Sequence, residues 1–311
     1  MKNKSVQASP ALTNYVWGSV VGAAVTALLL WLDPRVLAGE ALWLKPLKFF
    51  VSSAIYAATL EFGFRWVQGF ENRMNLIRRI VAWGLSFEML AICGQAARGV
   101  KSHFNFTTGW DAAVFTAMGI VISVVVLAGF VGIAHLWKSP RGTRALREAY
   151  VWGFLIFTVA AFSGASMASP TPEQVLSHET MTIRGSHFVG AVEGEARTLV
   201  LTGWNAESGD LRVAHFVGMH VIHFLLLLVG ILRLQQADLD DSRSVWKIRV
   251  AALAGFTATA AVFFQALAGQ SILSLVSWYF PTILLSFGIC LIVGLSAVLR
   301  PSSRLMRKEG T

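Results

Sequence analysis

The chain has 311 residues, 55% of them hydrophobic and only 14% charged, with a formal net charge of +9. A soluble domain carries about 25% charged residues, so the composition excludes an ordinary soluble globular protein. The basic excess is not a nucleic-acid signal either, because it falls in short connections between long apolar runs, where it sets membrane orientation.

Apolar runs near 14–32, 47–66, 79–98, 112–136, 149–168, 212–233, 248–268 and 276–299 are each long enough to cross a hydrocarbon core about 30 Å thick. The expected class is all-α: a polytopic transmembrane helix bundle of about eight spans in a single integral membrane domain, 1–311, with the lipid bilayer as its partner. Residues 1–13 are polar and no A-x-A pattern follows the first apolar run, so no cleavable signal peptide is expected. Cys93 and Cys290 lie inside apolar runs, too deep for a disulfide framework.

Basic residues alternate between connections. Lys2 and Lys4 precede span 1, and Arg65, Arg73, Arg78 and Arg79 lie in the segment where span 2 ends and span 3 begins. Lys138, Arg141, Arg144 and Arg147 follow span 4, Arg233, Arg243, Lys247 and Arg249 follow span 6, and Arg300, Arg304, Arg307 and Lys308 close the chain. By the positive-inside rule these segments are cytoplasmic, and so are both termini.

The opposite, outer connections collect the unusual residues. Lys45 and Lys48 stand at the entrance of span 2, flanking Pro46. Arg98 and His103 precede span 4. The connection 169–211 is too long for a plain linker and carries His178, His187, Glu173, Glu179, Glu193 and Glu195. Two acids fall inside spans: Glu61 near the inner end of span 2, and Glu88 in the middle of span 3. An intramembrane carboxylate must be paired, protonated or facing a cavity. Both are candidates for proton handling, with a hydrogen bond to Ser or Thr as the simpler alternative.

Three of the seven histidines lie in Gly209-Asp-Leu-Arg-Val-Ala-His215-Phe-Val-Gly-Met-His220-Val-Ile-His223, which runs into span 6. With His215 at 0°, helical geometry puts His223 near about 80° and His220 near about 140°. The three share one flank over roughly 12 Å of depth. Such histidines either bridge helices by hydrogen bonds or carry function. His103 and His215 are expected at similar depth, where they can bracket one heme b, with Lys45, Lys48, Arg98 or Arg212 for its propionates and His187 and His220 as further ligands. A transition metal ion is the alternative cofactor. No Cys-x-x-Cys-His occurs, so covalent c-type heme is not expected.

Short matches recur along the chain. Tyr15-Val-Trp-Gly18 and Tyr150-Val-Trp-Gly153 open spans 1 and 5, and Gln95-Ala-Ala-Arg-Gly99 and Gln265-Ala-Leu-Ala-Gly269 close spans 3 and 7. Leu44-Lys45-x-x-Lys48-Phe49 aligns with Leu211-Arg212-x-x-His215-Phe216. Such matches fit two pseudo-symmetric four-helix halves, 14–136 and 149–299, in a parallel-repeat arrangement. Chance similarity between apolar segments is the alternative.

With Trp43-Leu-Lys-Pro-Leu-Lys-Phe49, Gln95-Ala-Ala-Arg-Gly99, Ser102-His-Phe-Asn105, Thr202-Gly-Trp204 and the motif Gly209 to His220, the chain resembles a family of uncharacterised bacterial multi-pass membrane proteins. The likeness covers most of residues 40–225. It implies the bacterial inner membrane and marks Lys45, Lys48, His103, His187, His215 and His220 as family-pattern residues. His223 departs from that pattern, since relatives often carry glutamine there. The span count is also similar to heme A synthase, but without a Glu-x-x-His-Arg-type signature, so that likeness is architectural only.

Three functions follow as expectations. The first is a redox-related membrane protein whose outer histidines hold heme b or a transition metal. The second is a transporter or receptor for a small anionic or amphiphilic ligand gripped by the outer lysines and arginines. The third is a structural or assembly factor. No catalytic residue stands out, and whether the chain is an enzyme is left open.

Overall fold

The computed structural model describes residues 8–171, 174–175, 182–190, 197–199 and 202–298. His178, Glu173, Glu179, Glu193 and Glu195 lie outside the described residues, as do the basic residues of both termini. Among the described residues the protein is all-α, with eight long helices and two minimal antiparallel ribbons. The helices are α1 (Ala11–Leu32), α2 (Leu44–Phe64), α3 (Glu71–Ala97), α4 (Gly109–Lys138), α5 (Arg144–Met167), α6 (Leu211–Leu234), α7 (Ser242–Leu267) and α8 (Phe280–Val298). The ribbons pair β1 (Val36–Leu37) with β2 (Glu40–Ala41) and β3 (Phe188–Val189) with β4 (Gly209–Asp210).

Seven of the eight helices are long and apolar enough to cross a membrane. The exception is α2, which is 21 residues long but carries Lys45, Lys48 and Glu61. Several helices start away from the edges of their apolar runs. Helix α3 begins at Glu71 rather than near 79, with an acid placed against the positive helix N-terminus. Helix α7 begins at Ser242 rather than near 248, where the Asp241 carboxylate caps the Arg243 N–H. Arg73, Arg78, Arg79, Arg243, Lys247 and Arg249 are therefore helical rather than loop residues. Helix α8 begins at Phe280, not near 276, and Pro281 sits in its first turn, where a missing N–H costs nothing. Pro281 opens this helix instead of interrupting it.

The chain divides into two compact units, Met1–Arg141 with Ala168–Gly185, and Gly142–Met167 with Ser186–Thr311. In the first, α1 packs on α2, α3 on α4, α2 on α3, α1 on α3, and α2 on α4. In the second, α5 packs on α6, α7 on α8, α6 on α7, α5 on α7, and α6 on α8. The same five pairs of helices pack in each unit. The third helix of each unit also ends alike. Gly99 and Gly269 each hold φ at +72°, and the i→i−3 and i→i−5 backbone bonds of a Schellman turn close behind buried Gln95 and Gln265.

Small residues set the spacing, as expected where lipid supplies no hydrophobic drive between helices. Gly153 on α5 lies against the Ile222 backbone of α6, and Gly218 on α6 lies against Ala160 and Thr259. In the first unit Gly84 meets Val125 and Gly132 meets Phe64. A larger side chain at any of these points would push two helices apart.

The long connection 169–211 is built, not structureless, wherever it is described. Residues 182–184 pair with 104–106 in the first unit through Phe106 N–H to Thr182 C=O (2.7 Å) and Arg184 N–H to Phe104 C=O (3.0 Å). In the second unit, β3 pairs with β4 so that Phe188 faces Asp210. Gly209 there lies so close to the Ala266 carbonyl that a Cβ has no room.

Candidate functional site

In the second unit the sequence stretch Gly209 to His223 becomes the start of α6. Asp210 caps the helix by accepting from the Arg212 N–H at 3.0 Å. The Arg212 guanidinium folds back on the same carboxylate, Nε at 3.0 Å and Nη2 at 2.7 Å, and Nη2 also donates to the Gly203 carbonyl. Its carbon lies 5.2 Å from the centroid of the Phe188 ring. The Asp210 carboxylate further accepts the Asn205 N–H at 2.9 Å. This clasp fixes the entrance of the helix before the first histidine.

His215 follows one turn later and is half-buried. Its Nδ1 lies 2.9 Å from the Ala160 carbonyl on α5, and its ring packs on Gly164, which has no side chain to block it. A carbonyl only accepts, so Nδ1 carries the hydrogen and a neutral ring presents its lone pair at Nε2. His220 is exposed. Its Nδ1 donates to the Phe216 carbonyl of its own helix at 2.8 Å, which again leaves Nε2 as the basic nitrogen. The ring stacks on Phe216 with centroids 4.0 Å apart, and His223 lies 5.3 Å away. His187 is half-buried just before β3, and its carbonyl accepts the Leu211 N–H at 3.0 Å. His187, His215 and His220 thus belong to one unit, while His103 belongs to the other.

In the first unit His103 is half-buried, with Nδ1 2.9 Å from Ser102 Oγ and its ring near Phe49, Phe104 and Phe115. Lys45 stands 5.9 Å from the centroid of the Phe49 ring. Lys48 reaches Glu40 at 3.7 Å. Arg98 pairs with Asp111 at 2.7 Å, and Gln95 and Thr108 donate to the same carboxylate at 2.9 and 2.7 Å. Of the four expected anion-binding side chains, Lys48, Arg98 and Arg212 are therefore neutralised by the protein's own acids.

Sequence reading missed a second clasp in the first unit. Arg35 grips Asp33 with Nε at 2.9 Å and Nη2 at 2.7 Å, and its Nη1 donates to the Ala97 carbonyl. Trp43 Nε1 donates to Asp33 at 2.8 Å. These hydrogen bonds, with that charge, hold the Asp33 carboxyl well below the usual carboxylate range and raise the Arg35 guanidinium. The bonds to the carboxylate repeat those of Arg212 to Asp210 nitrogen for nitrogen, while the carbonyl bond comes from Nη1 in Arg35 and from Nη2 in Arg212. The shared signal was an Asp-x-Arg triplet at both places.

The two intramembrane acids part company. Glu61 is paired, with Arg78 at 2.7 Å and Arg65 at 3.4 Å. Glu88 makes no ion pair, and its Oε1 is buried without a hydrogen-bond partner.

No group of three or more His, Cys, Asp or Glu side chains that could hold a metal ion occurs among the described residues. Comparison with protein-family models, with curated proteins and with solved structures yields no match.

Proposed function

We propose that the protein is a redox-related membrane protein that binds heme b through His215 of its second unit. The observation that carries this reading is the 2.9 Å hydrogen bond from His215 Nδ1 to the Ala160 carbonyl. A ring nitrogen tied to a backbone carbonyl is the usual support of a ligating imidazole, because it fixes the tautomer and orients the other nitrogen. Heme suits the site better than a bare metal ion. A protein-held ion needs three or four side chains, whereas heme iron needs only one or two axial ligands. His220, with its own Nδ1 tied down, is the candidate second ligand, and His187 of the same unit is a further one.

Transport or sensing of a small anion draws less support, because Lys48, Arg98 and Arg212 already face Glu40, Asp111 and Asp210. The reading also places the chain in a bacterial inner membrane with both termini on the cytoplasmic side, supported by the alternation of basic connections. The test is an absorbance spectrum of the protein extracted in mild detergent, with metal analysis of the same sample. A Soret band with iron near one per chain is expected. Protein with neither chromophore nor metal would overturn the heme reading and leave the anionic-ligand reading ahead.

A further inference from the structure

The polar centre of the first unit is separate from its histidine and involves three helices. On α3, Glu88 is 8% exposed, in the middle of a helix apolar enough to span a membrane. From α1 comes Tyr15, whose hydroxyl donates to Ser53 Oγ of α2 at 2.8 Å. Ser53 in turn donates to the Phe50 carbonyl at 3.3 Å. Ser19, one turn beyond Tyr15 on α1, is 2% exposed, and its hydroxyl is buried without a hydrogen-bond partner.

This arrangement has a direction. The Tyr15 proton is spent on Ser53 and the Ser53 proton on a carbonyl, so neither is left for a carboxylate. An ionised Glu88 would lie buried with Oε1 accepting nothing and with no cation beside it, a costly state inside a membrane. A neutral carboxylic acid removes that buried charge. Helix α4 sets Val121 and Val125 against Gly84, one turn before Glu88. On α3 itself the neighbouring titratable group is Cys93. The nearest charge along α3 is Arg79, about 13.5 Å away at 1.5 Å per residue, followed by the Arg78 that pairs with Glu61.

We propose that Glu88 is a proton-binding site, carried as the neutral acid inside the first unit. The ligand is a proton, held on a carboxyl group that is buried in an apolar helix with Oε1 unpartnered. The inference is independent of any heme in the second unit.

Infrared spectroscopy of the full chain in lipid, at neutral pH and in buffers with and without sodium, reads the carbonyl stretch of a protonated carboxyl group. The expected result is a band present in the wild type, absent from Glu88→Gln, and unaffected by sodium. Tyr15→Phe removes a neighbouring hydroxyl of the first unit but keeps Glu88, so it should keep the band. Gln is isosteric with the neutral acid, and circular dichroism shows whether each variant keeps its helices. No band in the wild type, or a band that survives Glu88→Gln, would overturn the proposal. A band seen only when sodium is withheld would also overturn it, in favour of a bound alkali cation.

Discussion

At the scale of single residues, the Asp-x-Arg clasps are the firmest polar features outside the helices. Asp33 accepts from Arg35 and Trp43, and its carboxyl is held below the usual range. A folded-state value below the unfolded one stabilises the fold at pH above the unfolded value, about 4, and is lost as pH falls from there through the lower folded value. The gap in unfolding temperature between wild type and Asp33→Asn should therefore be constant from about pH 7 to 5 and close only below about 4. A gap unchanged down to pH 3 would contradict the clasp. His215, Lys48 and Glu88 were legible in the sequence as unusual residues in apolar surroundings. Their partners were not. Ala160 is 55 residues from His215, and Ser53 is 38 from Tyr15, distances over which a lone sequence carries no pairing signal. Lys48 illustrates the consequence, since an expected ligand-binding cation is neutralised by Glu40 of β2.

At the scale of helices, apolar length predicted that eight would form and roughly where. It misjudged the starts, because α3 and α7 continue past their apolar runs as helices bearing arginine. Arg78 shows why α3 continues. It is 4% exposed, sits over the Phe64 ring at 5.6 Å, and ties α3 to α2 through Glu61. Removing one partner of a buried pair leaves an uncompensated charge, a loss of about 3–5 kcal/mol. Glu61→Gln should therefore destabilise the protein by about that amount, whereas Glu88→Gln, which replaces an acid with no ion pair, should cost much less. Denaturant unfolding of the two variants in matched micelles checks this. Equal losses would contradict the different roles assigned to the two acids. The close glycine contacts, such as Gly153 on Ile222, also escaped the sequence reading, since an apolar helix does not announce which glycine faces a neighbour.

At the scale of the whole chain, the two units pack the same pairs of helices and end their third helices with the same turn. If the aligned motifs are carried along the second helices, Lys48 corresponds to His215, Ser53 to His220 and Tyr56 to His223. One unit thus carries a lysine and two hydroxyl groups where the other carries three imidazoles. The basic connections set the expected orientation, with the start of α1 and the end of α8 on the same, cytoplasmic side. A reporter active only in the cytoplasm should work when fused after Thr311 and fail when inserted in the connection between α5 and α6. Activity in the reverse pattern would contradict the orientation. The central claim is that His215 holds heme, and the most direct measurement is the heme-to-polypeptide ratio of His215→Ala beside that of wild type and Lys2→Ala, all extracted alike. The account predicts heme near one per chain in wild type and Lys2→Ala and its loss in His215→Ala. Heme retained in full by folded His215→Ala would contradict it.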